Sequence, residues 1–193
     1  MEKCQDSGVT CYNRHPVIFS QAKALLPNNE PILALSFGCS SGEEVRTLRE
    51  LGAPHWRVDG AEFQPELLAK ARAADPGGLY VQDARMLQAE AYDVIFCMSV
   101  LCRYGAPPED FPFESFERVL GWVVELLKAG GILVIYNAQY DPRETAVGAA
   151  LLEPLPGDAF GGSGFVPKFS PDMQTELSPC TSKAVPYLYR KRA

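Results

Sequence analysis

Short apolar runs alternate along the chain with stretches whose apolar residues recur every three or four positions. Residues 31–37 (Pro-Ile-Leu-Ala-Leu-Ser-Phe) form an apolar run of strand length that Gly38-Cys-Ser-Ser-Gly42 cuts off. From Glu43 onward Val45, Leu48 and Leu51 fall at helical spacing, and Gly52 closes that segment. The pattern repeats. Residues 55–62 read as a second strand, and Pro65 opens a helix that runs to Ala74 before Pro76-Gly-Gly78. Residues 79–82 suggest a third short strand, and residues 92–98 (Tyr-Asp-Val-Ile-Phe-Cys-Met) a fourth. The fourth is nearly all apolar, as a central parallel strand should be. Phe116, Val119, Leu120, Val123, Val124 and Leu127 share one face of a longer helix that is expected to stop at Gly130-Gly131. Residues 132–136 make a fifth strand. Ahead of the first strand, Val17, Ile18, Phe19, Ala22 and Leu25 predict a short helix, and Asn28-Asn29 a turn.

Strands alternating with helices imply βαβ units and a parallel sheet, with crossovers of one hand. Beyond Asn137 the pattern weakens. Residues 153–173 are rich in Pro and Gly and read as loop, with a possible strand at 165–169, and residues 184–190 suggest a last strand. The expectation is one α/β domain over residues 1–193: an N-terminal helical segment to residue 30, a core from 31 to 137, and a C-terminal part from 138.

Composition narrows this picture. Of 193 residues 47% are hydrophobic and 22% charged, an ordinary globular balance that can bury a core unaided. A net charge of −6 argues against nucleic acid or an anionic membrane as partner, because phosphate binding calls for a basic face. No apolar run reaches the roughly 20 residues of a membrane span, and residues 1–20 lack the pattern of a signal peptide. Cys4, Cys11, Cys39, Cys97, Cys102 and Cys180 are scattered without a C-x-x-C pair, so no zinc site is expected and reduced thiols in a cytoplasmic protein are.

Ligands of open α/β sheets bind beyond the carboxyl ends of the strands, where the turn 38–42 stands. Its glycines permit a tight turn and a close ligand. A plain strand-to-helix junction is the bland alternative. The turn lacks the G-x-G-x-x-G dinucleotide fingerprint but matches G-x-S-x-G, the nucleophile elbow of serine hydrolases, with Ser40 as nucleophile. That reading needs a histidine late in the chain, and the two histidines, His15 and His55, come too early. Glu62, twenty residues after Gly42, sits instead where an acid can accept hydrogen bonds from ribose hydroxyls. A solvated strand-end acid is its alternative role, and Asp59, inside the strand, is the weaker candidate.

Ser36-Phe-Gly-Cys-Ser-Ser-Gly-Glu-Glu44 resembles the first motif of class I S-adenosylmethionine-dependent methyltransferases, in a version similar to that of the chemotaxis receptor methyltransferases. Gly60-Ala-Glu-Phe-Gln-Pro-Glu-Leu-Leu68 resembles the motif whose acid holds the ribose, and Gln82-Asp83-Ala84 the one whose acid meets the adenine amino group. Residues 93–101 and Leu127-Lys-Ala-Gly-Gly131 are similar to the fourth-strand end and to the turn before the fifth. The likeness runs in the family's order over about residues 31–137. It implies a doubly wound, mostly parallel seven-stranded sheet with helices on both faces, the Rossmann-like methyltransferase fold. It implies S-adenosylmethionine as cofactor, lined by Gly38, Cys39, Ser40 and Gly42. Glu62 would hold the ribose, Phe63 would pack on the adenine, Asp83 and Ala84 would meet its polar edge, and Met98 and Ser99 would form the opposite wall. The sequence departs from the family at Ser36, where the first motif has an acid, and at Ser40, where it has a glycine. The extra domains of the chemotaxis enzymes, and hence their substrate, are not expected here, and Cys97-Met-Ser99 stands where nucleic-acid adenine methyltransferases have their signature.

Methyl transfer from a sulfonium relies on holding nucleophile, methyl and sulfur in line. A small-molecule acceptor is expected, with a cofactor-holding module that does no chemistry as the alternative. No residue declares itself a general base. His15, on a polar segment that could fold over the cofactor, Arg103, Tyr104, Asn137 and Tyr140 are candidates by position, each with a structural alternative. Residues 153–173 could form a lid with Gly161 to Gly164 as hinges.

Overall fold

The strand sequences send alternate side chains to opposite faces of one sheet, and each face has become a core. Leu35 and Phe37, Ile95 and Cys97, and Leu133 and Ile135 point to one side; Ile32 and Ala34, Val94 and Phe96, and Ile132 and Val134 point to the other. The computed structural model describes residues 8, 10–103, 107–157, 164–174, 176–177 and 185–193. In chain order it runs α1 (Pro16–Ala24), β1 (Ile32–Phe37), α2 (Glu43–Gly52), β2 (Trp56–Ala61), α3 (Pro65–Ala74), β3 (Tyr80–Val81), β4 (Tyr92–Met98), α4 (Phe113–Leu126), β5 (Leu127–Tyr136), α5 (Ala146–Leu151), β6 (Leu152–Pro154) and β7 (Leu188–Lys191). Short 3₁₀ turns stand at Ala84–Met86, Pro108–Asp110 and Pro142–Glu144.

The seven strands are ordered β3-β2-β1-β4-β5-β7-β6. The first five are parallel and β7 is antiparallel to both its neighbours. Ile18 and Phe19 of α1, Val45 and Leu48 of α2 and Leu68 and Ala71 of α3 cover one face. Phe116, Val119, Leu120, Val123 and Val124 of α4 cover the other, with Val147 and Leu151 of α5 beside them. This is the doubly wound, mostly parallel arrangement that the sequence implies, and chain reversals at β1 and β4 put the switch point between those strands.

Several boundaries differ from expectation. The fourth helix stops at Leu126, before Gly130-Gly131, because β5 starts at Leu127 and bulges: Tyr92 pairs with Leu127 and Val94 with Ile132. Gly130, at φ +77°, takes up the bulge in the left-handed region. The third strand shrinks to two residues at the sheet edge. Glu153 and Pro154, expected as the start of a loop, pair with β7 instead, together with Leu152. Residues 165–169 form no strand; Phe169 alone makes a bridge, to Glu176. The last strand begins at Leu188, four residues later than expected, and ends at Lys191. Gly161, Gly162, Ser163, Tyr104, Cys4 and Cys180 lie outside the described residues.

Candidate functional site

The turn after β1 reverses through three residues in the left-handed region: Gly38 at φ +80°, Ser40 at +53° and Gly42 at +96°. Two of the three are glycine, the residue that adopts this conformation without steric cost. The amides of Gly38 and Cys39 both donate to the Ala61 carbonyl, at 2.7 and 3.0 Å, so the turn is tied to the end of β2. Glu62 completes the tie. Its Oε2 accepts from the Ser40 amide and its Oε1 from the Gln64 amide, both at 2.9 Å. Glu62 is fully buried, and burial pushes its pKa up against these backbone hydrogen bonds, which lower it. The ends of β1 and β2 therefore share one carboxylate.

A second carboxylate stands beside the first strand. Ser36 fills the position where the family's first motif has an acid, and its Oγ donates to Glu44 Oε1 at 2.8 Å. Helix α2 thus returns, in its first turn, the acid that the strand lacks. Burial pushes Glu44 up to about 7, while the Ser36 hydroxyl and then the Arg14 charge pull it down. Arg14 belongs to the segment before α1, which lies along α2. The Asn13 amide donates to Thr47 Oγ1 at 2.9 Å, Tyr12 donates to Glu50, and the Arg46 guanidinium sits over the Tyr12 ring. The next residue, His15, packs its ring 4.9 Å from that of Tyr136, the last residue of β5. Burial first, and Arg14 second, press His15 down to about 4, so its imidazole is neutral at physiological pH. Further back, the Gly8 carbonyl accepts from Ser40 Oγ at 2.7 Å. The N-terminal segment is folded over the carboxyl edge of the sheet.

The remaining sequence-derived positions fall around this edge in different ways. Cys39 contributes backbone to the turn, while its side chain is buried in the core next to Gly60. Phe63 is half-buried and its carbonyl accepts from Gln82 Nε2. Asp83 caps the 3₁₀ turn through the Arg85 amide and is clasped by the Arg85 guanidinium, which holds its pKa down to about 2. Ala84 is buried in the core on the α4 face. Met98 pairs in register with Tyr136 and is buried. Ser99, at φ +59°, donates its amide to the Tyr136 carbonyl and accepts from Asn137 Nδ2 at 2.8 Å.

The candidate bases after β4 and β5 are engaged elsewhere. Asn137 Oδ1 accepts from the amides of Phe165 and Val166. Tyr140 is fully buried against Phe113 and Phe116, with its hydroxyl on the Phe111 carbonyl. Arg103 donates through Nη1 to the Asp110 carbonyl. Among described residues no group of three or more His, Cys, Asp or Glu is placed to hold a metal ion. The serine hydrolase arrangement is not formed: Ser40 bonds to Gly8, and His55 lies at the opposite edge, its carbonyl on the Ile32 amide.

Sequence reasoning passed over Arg14, Gln64 and the role of Glu44. A serine in the acid position with a carboxylate eight residues later was the one available signal for the Ser36–Glu44 pair.

The sequence matches the family described as methyltransferase domain over residues 35–133. No curated protein matches the chain. Among solved structures it is similar to an S-adenosylmethionine-dependent methyltransferase from Mesorhizobium loti, at 26% identity and a TM-score of 0.43, covering 60% of this chain and 50% of that one. An amino pentose methyltransferase of calicheamicin biosynthesis from Micromonospora echinaspora, solved with S-adenosylmethionine, is 21% identical with a TM-score of 0.49, covering 76% and 59%. A sugar N-methyltransferase from Streptoalloteichus is 20% identical with a TM-score of 0.49, covering 65% and 47%. The chain thus spans between 47% and 59% of the length of these structures. With just over half of its residues matched to the family, the chain belongs to the methyltransferase domain family.

Proposed function

We propose that this chain transfers a methyl group from S-adenosylmethionine to a small-molecule acceptor. Membership of the methyltransferase domain family supplies the reaction class. The observation that carries the cofactor assignment is the joining of the β1 and β2 ends, with the Ser40 amide 2.9 Å from the Glu62 carboxylate at a turn of three left-handed residues.

The side chains present suit this cofactor. Glu62 takes the backbone N–H groups of Ser40 and Gln64, with that of Phe63 also lowering its pKa, and a carboxylate's roughly four lone-pair sites still let it accept from a ribose hydroxyl. Arg14 lies close to Glu44 beside the end of β1, and with an incoming ammonium to hold the Glu44 carboxyl ionised the two match the carboxylate and ammonium of an amino-acid tail. Gln64 Nε2 is a buried donor with no partner among the described residues. When bound, the cofactor supplies a methyl group already activated by the sulfonium charge. The protein's part is to orient and to exclude water: the N-terminal segment covers the turn through Gly8 and Ser40, and Met98 and Ser99 bound the side facing β4. His15 packs on Tyr136 at the end of β5, and because burial disfavours its protonated form we assign it to covering the site and not to taking a proton. None of the described helices is long and apolar enough to cross a membrane, and buried Cys39 suits the reducing cytoplasm in which we place the activity.

Calorimetric titration with S-adenosylmethionine tests the reading. The intact chain should release heat at one site, and Glu62→Ala should lose it. A flat titration of the intact, folded chain would sink the assignment.

A further inference from the structure

Gln64 is the N-cap residue of α3, yet its side chain makes no capping hydrogen bond. N-caps are commonly Ser, Thr, Asp or Asn, whose short side chains reach the free amides of the first turn. Glutamine is one carbon longer than asparagine, and here its amide nitrogen does other than cap. Nε2 is shielded from solvent and has no hydrogen-bond partner among the described residues. Buried donors are almost always paired, so a stranded one beside a candidate site asks for an acceptor from outside the chain.

Its position says which acceptor. The backbone amide of Gln64 donates to Glu62 Oε1 at 2.9 Å, so the carboxamide grows from the residue that closes the Glu62 brace. An ionised carboxylate only accepts; it can serve the hydroxyl hydrogens of a ribose but none of a nucleoside's own acceptor atoms. Those atoms, the ring nitrogens and sugar oxygens, need a donor. The amides of Ser40 and Gln64 are both taken by Glu62 and those of Gly38 and Cys39 by Ala61. Gln64 Nε2 is taken by none of the described residues.

We propose that Gln64 is a recognition residue for the nucleoside half of the cofactor, donating from Nε2 to an acceptor atom of the adenosine while Glu62 accepts from its sugar. The assignment rests on the methyltransferase reading above. Glu62 and Gln64 form an acceptor and donor pair on one short loop, and the donor idles until the ligand arrives. A purely structural glutamine would be bonded within the unliganded chain and would support its stability; a ligand-directed one would not.

The test uses S-adenosylhomocysteine as probe on the full chain, with Gln64→Met keeping length while removing the donor. Affinity by calorimetry should weaken about tenfold, the equivalent of one hydrogen bond. The melting temperature of the unliganded variant should equal or exceed that of the parent. Gln64→Glu, which sets a second acceptor where the donor was, should bind more weakly still. An unchanged Kd in Gln64→Met overturns the proposal, and so does a lower melting temperature without ligand. Both results leave probe binding by the parent chain intact. Absence of binding by the parent chain removes the methyltransferase reading and this assignment with it.

Discussion

Glu44 and His15 carry opposite pH signatures at the same end of the sheet. Glu44 binds its proton more tightly in the folded chain, at about 7 against an ordinary 4.5, because burial penalises its charge. Folding is therefore favoured by the protonated form, and this contribution is lost as pH rises from 4.5 to 7. His15 behaves in reverse: at about 4 when folded against 6.5 otherwise, it contributes stability as pH rises from 4 to 6.5. Each effect has a slope of up to about 1.4 kcal/mol per pH unit where its window is open. Between pH 4.5 and 6.5 the two oppose, and the melting temperature of the parent should be nearly flat from these groups. Glu44→Gln should unmask the histidine, giving a melting temperature that climbs over that range. His15→Asn should unmask the carboxylate, giving one that falls toward pH 7. Identical profiles for both variants and the parent would mean that neither group is buried as described.

At the scale of elements, the glycines of α2 and α4 predict opposite outcomes for the same substitution. Gly42 is the N-cap of α2 at φ +96°, and an added Cβ would come within 3.4 Å of Ala71 and Tyr80. Gly42→Ala should cost about 1–2 kcal/mol through backbone strain. Gly121 lies inside α4, where a Cβ meets nothing within 4 Å. Gly121→Ala should gain about 0.5–1 kcal/mol by reducing the freedom of the unfolded helix segment. Urea midpoints of the two variants check this, and a gain at Gly42 would contradict the left-handed turn. The same contrast explains what could be read beforehand. Residues 31–98 alternate strand and helix with clear apolar periods and sharp Gly or Pro stops, so their elements were legible to within a residue or two. Helix α5 was not. It is six residues of Ala, Val, Gly and Leu, too short to show a helical period, and its only signal is Thr145, whose side chain accepts from the Gly148 amide. Strand β6 was hidden by Pro154, which a strand tolerates only at a sheet edge, and β6 is that edge. In the site, the turn and Glu62 were visible because their spacing along the chain is fixed by one βαβ unit. That the segment of His15 could fold over this edge was legible, but its contacts, Arg14 near Glu44 and the His15 ring on Tyr136, were not, since nothing in a polar N-terminal stretch states which strand end it meets.

The described residues 164–174 close the β4–β5 end of the sheet, and the tie there includes a buried lysine. Lys168 is 1% exposed, with Nζ donating to the Ala138 carbonyl at 2.6 Å. Around it the Phe165 amide donates to Asn137, and the Phe169 amide to the Gln139 carbonyl. Three consecutive residues after β5, Asn137, Ala138 and Gln139, are thereby linked to a segment distant in sequence. Burial lowers Lys168 to about 8, against the nearby Asp141 charge, which raises it; Asp141 is itself held bidentately by Arg143. With a folded value below the ordinary 10.5, the folded chain sheds this proton first, so stability rises as pH goes from 8 toward 10.5. The window for observing it is roughly pH 8 to 9.5, before tyrosines ionise. Lys168→Met keeps the length and removes the charge, and Asp141 keeps Arg143. The variant should lose the rise in urea midpoint over that window, while at pH 7.5 it stays within about 1 kcal/mol of the parent, the lost hydrogen bond offsetting the relieved desolvation. A parent midpoint that falls from pH 8 to 9.5 in step with the variant would show that the ammonium is solvated, and that residues 164–174 do not seal this end of the sheet.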